Sequence, residues 1–341
     1  MFADLKTLHL LNEMAESHTE VNRHGGRTVR STPDRSKNIQ EVRKHFIDRE
    51  KGSFGFWNKL DHFLDRSVFR AGLSVHCPVC SYHNWFAVDD LSYKPTCARC
   101  LNPFDFSQAP EDLHRLKWYY RVTGPFAAPD YARGAYAVAL TLRTLAPHSS
   151  SKITWSTGLR LEPLKCEIDF VAWHQSSRMM HTDERDEPLL VLGEAKSFGF
   201  GSINDEAIGA LKKVAERFPG AVMVVSTLRE IGRYSLAEVA RLRHLALWGR
   251  RKTHQGQPIN PLIVLTETEL FSKHNISNAW KEIDGKEVRP SVDLYDLHTL
   301  AEMTQHRYLG LQSHWDRSAE NSLPEPMRKL LSAIRGRAAA H

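Results

Sequence analysis

Two C-x-x-C pairs, Cys77-Pro-Val-Cys80 and Cys97-Ala-Arg-Cys100, stand sixteen residues apart and constrain this chain more than any other feature. Each pair turns tightly enough to set two thiolates on one side of an ion, and Zn²⁺ takes four such ligands in a tetrahedron. With cysteine at all four positions the site is closed. Catalytic zinc needs an open position, so the spacing predicts a structural Zn²⁺. The flanks read as ribbon strands: one before Cys77, one through Asn84–Val88 and one through Phe104–Phe106. Trp85, Phe86, Tyr93, Phe104 and Phe106 would form a miniature core, with His83 a surface turn residue. The fifth cysteine, Cys166, stands alone and is expected to be a buried free thiol.

The chain has 341 residues, enough for two or three domains. At 41% hydrophobic and 25% charged it is neither disordered, collagen-like nor a disulfide scaffold. Its start, MFADLKTLHLLNEMAESH, is broken by charges and does not read as a secretory leader, and there is no apolar run of membrane-spanning length. A cytoplasmic location without a membrane partner is expected, and there two tight cysteine pairs mean metal rather than disulfides. The net charge of +6, from 46 basic and 40 acidic residues, permits a polyanionic partner but does not demand one. Arg328, Lys329, Arg335 and Arg337 make the C-terminus basic.

Four segments follow. Residues 1–70 read as a helical extension, with stripes at Leu5, Leu8, Leu11 and Met14, at Ile39, Val42, Phe46 and Ile47, and from Trp57 to Val68. A polar stretch, 19–37, reads as a linker between the first two stripes. Residues 71–125 hold the zinc ribbon and a docking segment containing Leu116, Trp118, Tyr119 and Tyr120. Residues 126–315 form an α/β core, and 316–341 a basic tail. In the core a helix is expected over 130–146, with Ala132, Ala135, Val138, Ala139, Leu142 and Leu145 on one side. Strands are expected at 152–157, 159–164, 165–173, 189–196, 221–227 and 261–265, and helices at 204–218, 235–248 and 292–312. Such alternation builds a central sheet flanked by helices.

The chemistry sits on two of these strands. Glu167-Ile-Asp169 lies on one, and Gly193-Glu194-Ala-Lys196 ends the next. Residues i and i+2 share a strand face, so Glu167 accompanies Asp169 and Glu194 accompanies Lys196. A polar loop between them suits a hairpin, which would bring the carboxylates and the ammonium to adjoining strand ends. Glu194 follows the apolar run Leu189–Leu192, and a charge there is costly unless metal or a partner compensates. Phosphodiester hydrolysis uses such a set: carboxylates hold Mg²⁺, and a lysine orients water and stabilises the developing charge.

Over about residues 130–270 this arrangement resembles the PD-(D/E)XK, or restriction-endonuclease-like, nuclease superfamily. The matching positions are Asp169 and Glu194 for the metal-binding acids and Lys196 for the lysine; Ile168 stands where the motif name has proline. No inward glutamate is evident on the preceding helix, and Glu167 is the substitute ligand. The resemblance implies a restriction-endonuclease-like mixed central sheet flanked by helices. It also implies an Mg²⁺-dependent nuclease acting on DNA, with a role in prokaryotic defence against foreign DNA. A helicase- or ATPase-type partner protein is expected, since the chain has no GxxxxGK[ST] loop, and homo-oligomerisation is left open. Two alternatives stand beside this reading: a zinc-ribbon adaptor for nucleic acid or protein whose nuclease-like core is inactive, and an RNA-cleaving enzyme. Ser197, Gly199-Phe-Gly201, Lys212 and Lys213 read as turn or solvent residues, and the acids at 183–187 lack the glycine spacing of a calcium loop.

Overall fold

The computed structural model describes residues 2–15, 21–24, 27–30, 35–50, 59–106, 117–146, 152–175, 188–199, 201–251, 253–254, 257–272, 275–285 and 294–313. The docking residues before 117, the acids at 183–187 and the basic tail 316–341 lie outside the described residues. The chain divides into two compact units, Met1–Tyr136 and Ala137–His341. No described helix is long and apolar enough to cross a membrane.

In the first unit, helix α1 (Leu5–Ala15) buries Leu8, Leu11 and Met14 as the stripe predicts. The expected linker carries an antiparallel hairpin, β1 (Val21–His24) with β2 (Arg27–Arg30). Then come β3 (Lys37–Asn38), α2 (Ile39–Glu50), α3 (Lys59–Asp65), β4 (Phe69–His76), β5 (His83–Ala87) and β6 (Lys117–Val122). The strands form one antiparallel sheet in the order β3-β6-β4-β5. The expected boundary at 70/71 therefore falls inside β4, and the ribbon shares a sheet with the N-terminal segment. One sheet face is apolar: Phe69 and Tyr120, 5.6 Å apart, join Phe63 and Phe46 in a ring cluster. No third ribbon strand forms at Phe104–Phe106. Instead Phe104 N donates to Pro95 O and Phe106 N to Tyr93 O, each at 3.0 Å, beside a single bridge between Thr96 and Pro103.

The helix expected over 130–146 starts later. Residues 130–133 have positive φ, a left-handed turn costing about 1–2 kcal/mol per residue. Tyr131 N donates to Asn12 Oδ1 at 2.6 Å, and Tyr131 Oη lies 2.8 Å from His9 Nδ1, so α1 holds this turn. Helix α4 (Ala135–Leu145) follows. Its buried residues include Ala137, Leu140, Thr141, Thr144 and Leu145, whereas Ala135 and Ala139 are exposed. Thr141 and Thr144 donate to the Ala137 and Leu140 carbonyls, which allows the hydroxyls to be buried.

The second unit is built on β7 (Lys152–Leu161), β8 (Cys166–Gln175), β9 (Leu189–Lys196), β10 (Val222–Thr227), two short strands β11 (Thr253–His254) and β12 (Gln257–Pro258), and β13 (Leu262–Leu265). The two runs expected at 152–164 are one strand, and the next starts after a tight turn at Glu162–Leu164 closed by left-handed Lys165. The main sheet has the order β13-β10-β9-β8-β7. β7, β8 and β9 pair antiparallel, and β9, β10 and β13 parallel. Helix α5 (Asp205–Ala215), N-capped by Asn204, links β9 to β10; α6 (Leu236–Arg250), N-capped by Ser235, follows β10. Phe218, the last residue of the helix expected over 204–218, lies beyond the end of α5 and is exposed. β10 and β13 are buried throughout, as helix-covered parallel strands are. The turn α7 (Glu267–Leu270), α8 (Ile276–Asp284) and α9 (Leu297–Leu309) complete the unit, a mixed α/β fold.

Candidate metal centre and carboxylate cleft

The four ribbon cysteines converge. Their sulfurs lie within 4.8 Å of one another, with Cys77–Cys100 and Cys80–Cys97 each at 3.6 Å. A zinc tetrahedron with Zn–S of about 2.3 Å has edges of about 3.8 Å, so the cluster fits a tetrathiolate ion. The two knuckles repeat one geometry. Cys77 N donates to Tyr82 O and Ser81 N to Cys77 O; Cys97 N donates to Asn102 O and Leu101 N to Cys97 O. Ser81 and Leu101 both have positive φ, which closes each turn. Asn84, buried on β5, donates to Cys97 Sγ at 3.5 Å and accepts from Ala98 N at 2.8 Å, so it braces the second knuckle. His83 is no turn residue: it begins β5 opposite His76, with the two imidazoles in edge contact.

The second site forms where β8 and β9 part. Their ladder includes Phe170 opposite Gly193, a position that needs glycine because a Cβ there would meet the Phe170 ring at 2.0 Å. Two residues further along β9, Ala195 N donates to the Asp169 side chain at 2.8 Å instead of to backbone. β9 continues on its other side, with Glu194 opposite Val225 and Lys196 opposite Thr227. Asp169, Glu194 and Lys196 are thereby brought together. Lys196 Nζ lies 3.1 Å from Asp169 Oδ2, and 2.7 Å from Glu194 Oε2 in an ion pair off the hydrogen-bonding direction. Burial pushes the Glu194 carboxyl up to about 7, and the adjacent Asp169 carboxylate adds to this against the opposing Lys196. Burial would lower Lys196, but the two carboxylates outweigh it and hold the ammonium above its ordinary value.

The three side chains line a cleft of about 740 Å³ within the second unit, with Glu167, Arg160, Lys165 and Lys213 also on its wall. Glu167 is exposed and is not gathered with Asp169 and Glu194 into a three-carboxylate cluster; among the described residues only the cysteines form such a group. Cys166, expected to be a buried free thiol, is free but only half-buried and lines the same cleft. Lys213, read as a solvent residue, donates to Leu164 O, and Lys212 lies over Trp248.

Sequence reasoning missed Arg229 and Glu238. They form a fully buried ion pair at 2.6 Å. Arg229 also donates to Ser202 Oγ, and Glu238 accepts from Ile203 N, so the pair ties down the loop that leaves Lys196. Burial would raise Glu238, but the Arg229 guanidinium wins and holds it at about 2. The only sequence signal was the Ser235-x-x-Glu238 capping box. Comparison with known proteins returns no match: no family model, no curated protein and no solved structure is similar to this chain.

Proposed function

We propose that this chain is a metal-dependent nuclease that hydrolyses DNA phosphodiester bonds, with Asp169, Glu194 and Lys196 as its catalytic residues. The observation that carries the reading is the convergence of two carboxylates and one ammonium in an open cleft where β8 and β9 separate. The sheet order supports a restriction-endonuclease-like core: an antiparallel meander β7-β8-β9, then α5 and a parallel β10, preceded by α4.

The donor set fits a hard cation, because Asp169 and Glu194 offer only oxygen. A buried Glu194 raised towards neutrality is a carboxylate short of positive charge. Asp169 and Glu194 would hold Mg²⁺, with Glu167 as an outer ligand. Bound Mg²⁺ supplies Lewis-acid polarisation of the phosphate and a more acidic water. Lys196, charged at neutral pH, positions that water and stabilises the charge that develops on the phosphoryl oxygens. Ala195 N fixes Asp169 through its hydrogen bond, and Lys196 draws both carboxylates to one point. Defence against foreign DNA with a helicase- or ATPase-type partner belongs to this same proposal and rests on the resemblance alone.

One observation favours an inactive core: Lys196 already neutralises one carboxylate and touches both, as a closed structural triad would. Calorimetry separates the two. A nuclease core binds Mg²⁺ or Mn²⁺ at a site lost in Glu194→Ala. An adaptor binds neither there.

A further inference from the structure

We infer that the basic end of the cleft is a second phosphate subsite, in which Lys165 and Lys213 hold a phosphate of the bound DNA strand other than the one attacked. The subsite rests on the nuclease reading for the identity of its ligand.

The turn that joins β7 to β8 builds it. Glu162-Pro163-Leu164 closes a tight turn, and Lys165 then takes left-handed backbone, φ 48° and ψ 44°. Glycine adopts that conformation without strain, so a lysine there is held against its backbone preference. Strain of this kind collects where a side chain serves a ligand. From α5, Lys213 donates to Leu164 O at 2.5 Å, which brings its ammonium to the same turn. An ammonium has three protons, so Lys213 keeps two for a ligand. Both side chains are exposed and line the cleft, and neither has an acidic partner among the described residues.

The other cations of the cleft are already matched. Arg160 lies 3.4 Å from Glu162 and stands opposite Glu167 on the β7–β8 ladder. Lys196 is shared by Asp169 and Glu194. Glu206, also on the wall, precedes Lys213 by about two turns of α5. The cleft therefore has an acidic end that takes a cation and a basic end that takes an anion. Lys165 comes four residues before Asp169, about 13 Å at the rise of a strand. That span selects the ligand. Inorganic phosphate reaches one end alone. A strand that sets one phosphate at Asp169 and Glu194 carries others along β8, and about four B-form nucleotides at about 3.4 Å each cover the distance. Lys165 and Lys213 position the strand, and Asp169, Glu194 and Lys196 act on it.

The test is fluorescence anisotropy of a labelled duplex of about twenty base pairs across a salt series. It uses the full chain with zinc bound and no added Mg²⁺. Lys165→Gly should keep or raise Tm, because it releases the left-handed strain, and yet weaken binding; a purely structural lysine would lower Tm when replaced. Lys165→Gly with Lys213→Met should weaken binding at least about tenfold and cut the salt slope by about 0.9 per cation removed. Lys212→Met, whose lysine lies over Trp248 and does not line the cleft, should leave both unchanged. Where DNA is cleaved, the double variant should raise KM with little change in kcat. If circular dichroism shows that Lys213→Met unfolds the chain, Lys165→Gly decides alone. Unchanged affinity and slope in folded variants would overturn the subsite, and plasmid nicking by the same variants would leave the nuclease reading standing. A chain that nicks no plasmid but loses salt slope with Lys165 would keep the subsite and sink the nuclease. Inorganic phosphate should compete no better than sodium chloride of equal ionic strength. Competition that Lys165→Gly abolishes would mark a site for free phosphate and overturn the proposal.

Discussion

Lys196 and Glu194 stand two residues apart on one strand, and the ammonium of the first lies 2.7 Å from the carboxylate of the second. Strand alternation puts both on one face, and the parting of β8 from β9 leaves Asp169 free to join them through Ala195 N. A carboxylate this buried stays charged only beside a cation. Lys196 fills that role in part, and a divalent ion would complete it.

The pH dependence follows from Glu194. Its folded pKa, about 7, lies above the ordinary carboxyl value of 4.5. Its contribution to metal-free stability is thus present below that ordinary value and is lost as pH rises through about 7. Metal binding needs the anion, so the rise in Tm on adding Mg²⁺ should be larger at about pH 8 than at about pH 6. Thermal unfolding of Glu194→Gln should show neither the Mg²⁺ gain nor its pH dependence.

Asn84 touches the metal cluster through Cys97 Sγ and the Ala98 amide. Asn84→Ala should weaken Zn²⁺ binding about 10–100-fold while leaving one zinc per chain at saturation. Competition with a chromophoric chelator measures this. Cys77→Ser should lose the ion outright.

Removing one member of a buried ion pair strands the other. Arg229→Ala should cost about 3–5 kcal/mol in denaturant unfolding, whereas Arg229→Met with Glu238→Leu should cost much less. If the single and double variants unfold alike, the pair does not hold the loop at Ser202.

Gly193→Ala should destabilise by about 1–3 kcal/mol, because its Cβ would push into the Phe170 ring. Chemical denaturation checks it. Phe170→Ala with Gly193→Ala should relieve the clash but open a cavity.

Much of this was legible because it is local. The C-x-x-C turns and the pairing of Glu194 with Lys196 depend only on near neighbours in sequence. The strand bounds at Leu189–Lys196 and Val222–Thr227 follow the apolar runs. What escaped was set at long range. The chain at Tyr131 turns left-handed where Asn12, 119 residues away, takes its amide. The inner face of α4 was misread because Thr141 and Thr144 count as polar, yet their hydroxyls bond within the helix, and Thr141 Oγ1 also meets Ser226 Oγ at 2.6 Å. The boundary at residue 70 dissolved because β6, more than forty residues downstream, pairs with β4. Arg229 carried no sign of burial, since its partner Glu238 looked like an ordinary cap residue.

The most direct measurement is cleavage of supercoiled plasmid DNA in Mg²⁺ by the wild type, Asp169→Ala and Lys196→Ala, each with zinc bound and folded. The account predicts metal-dependent nicking by the wild type, slowed at least about 100-fold in either variant. Variants that cleave as fast as the wild type, or a wild type that leaves the plasmid intact, would contradict it.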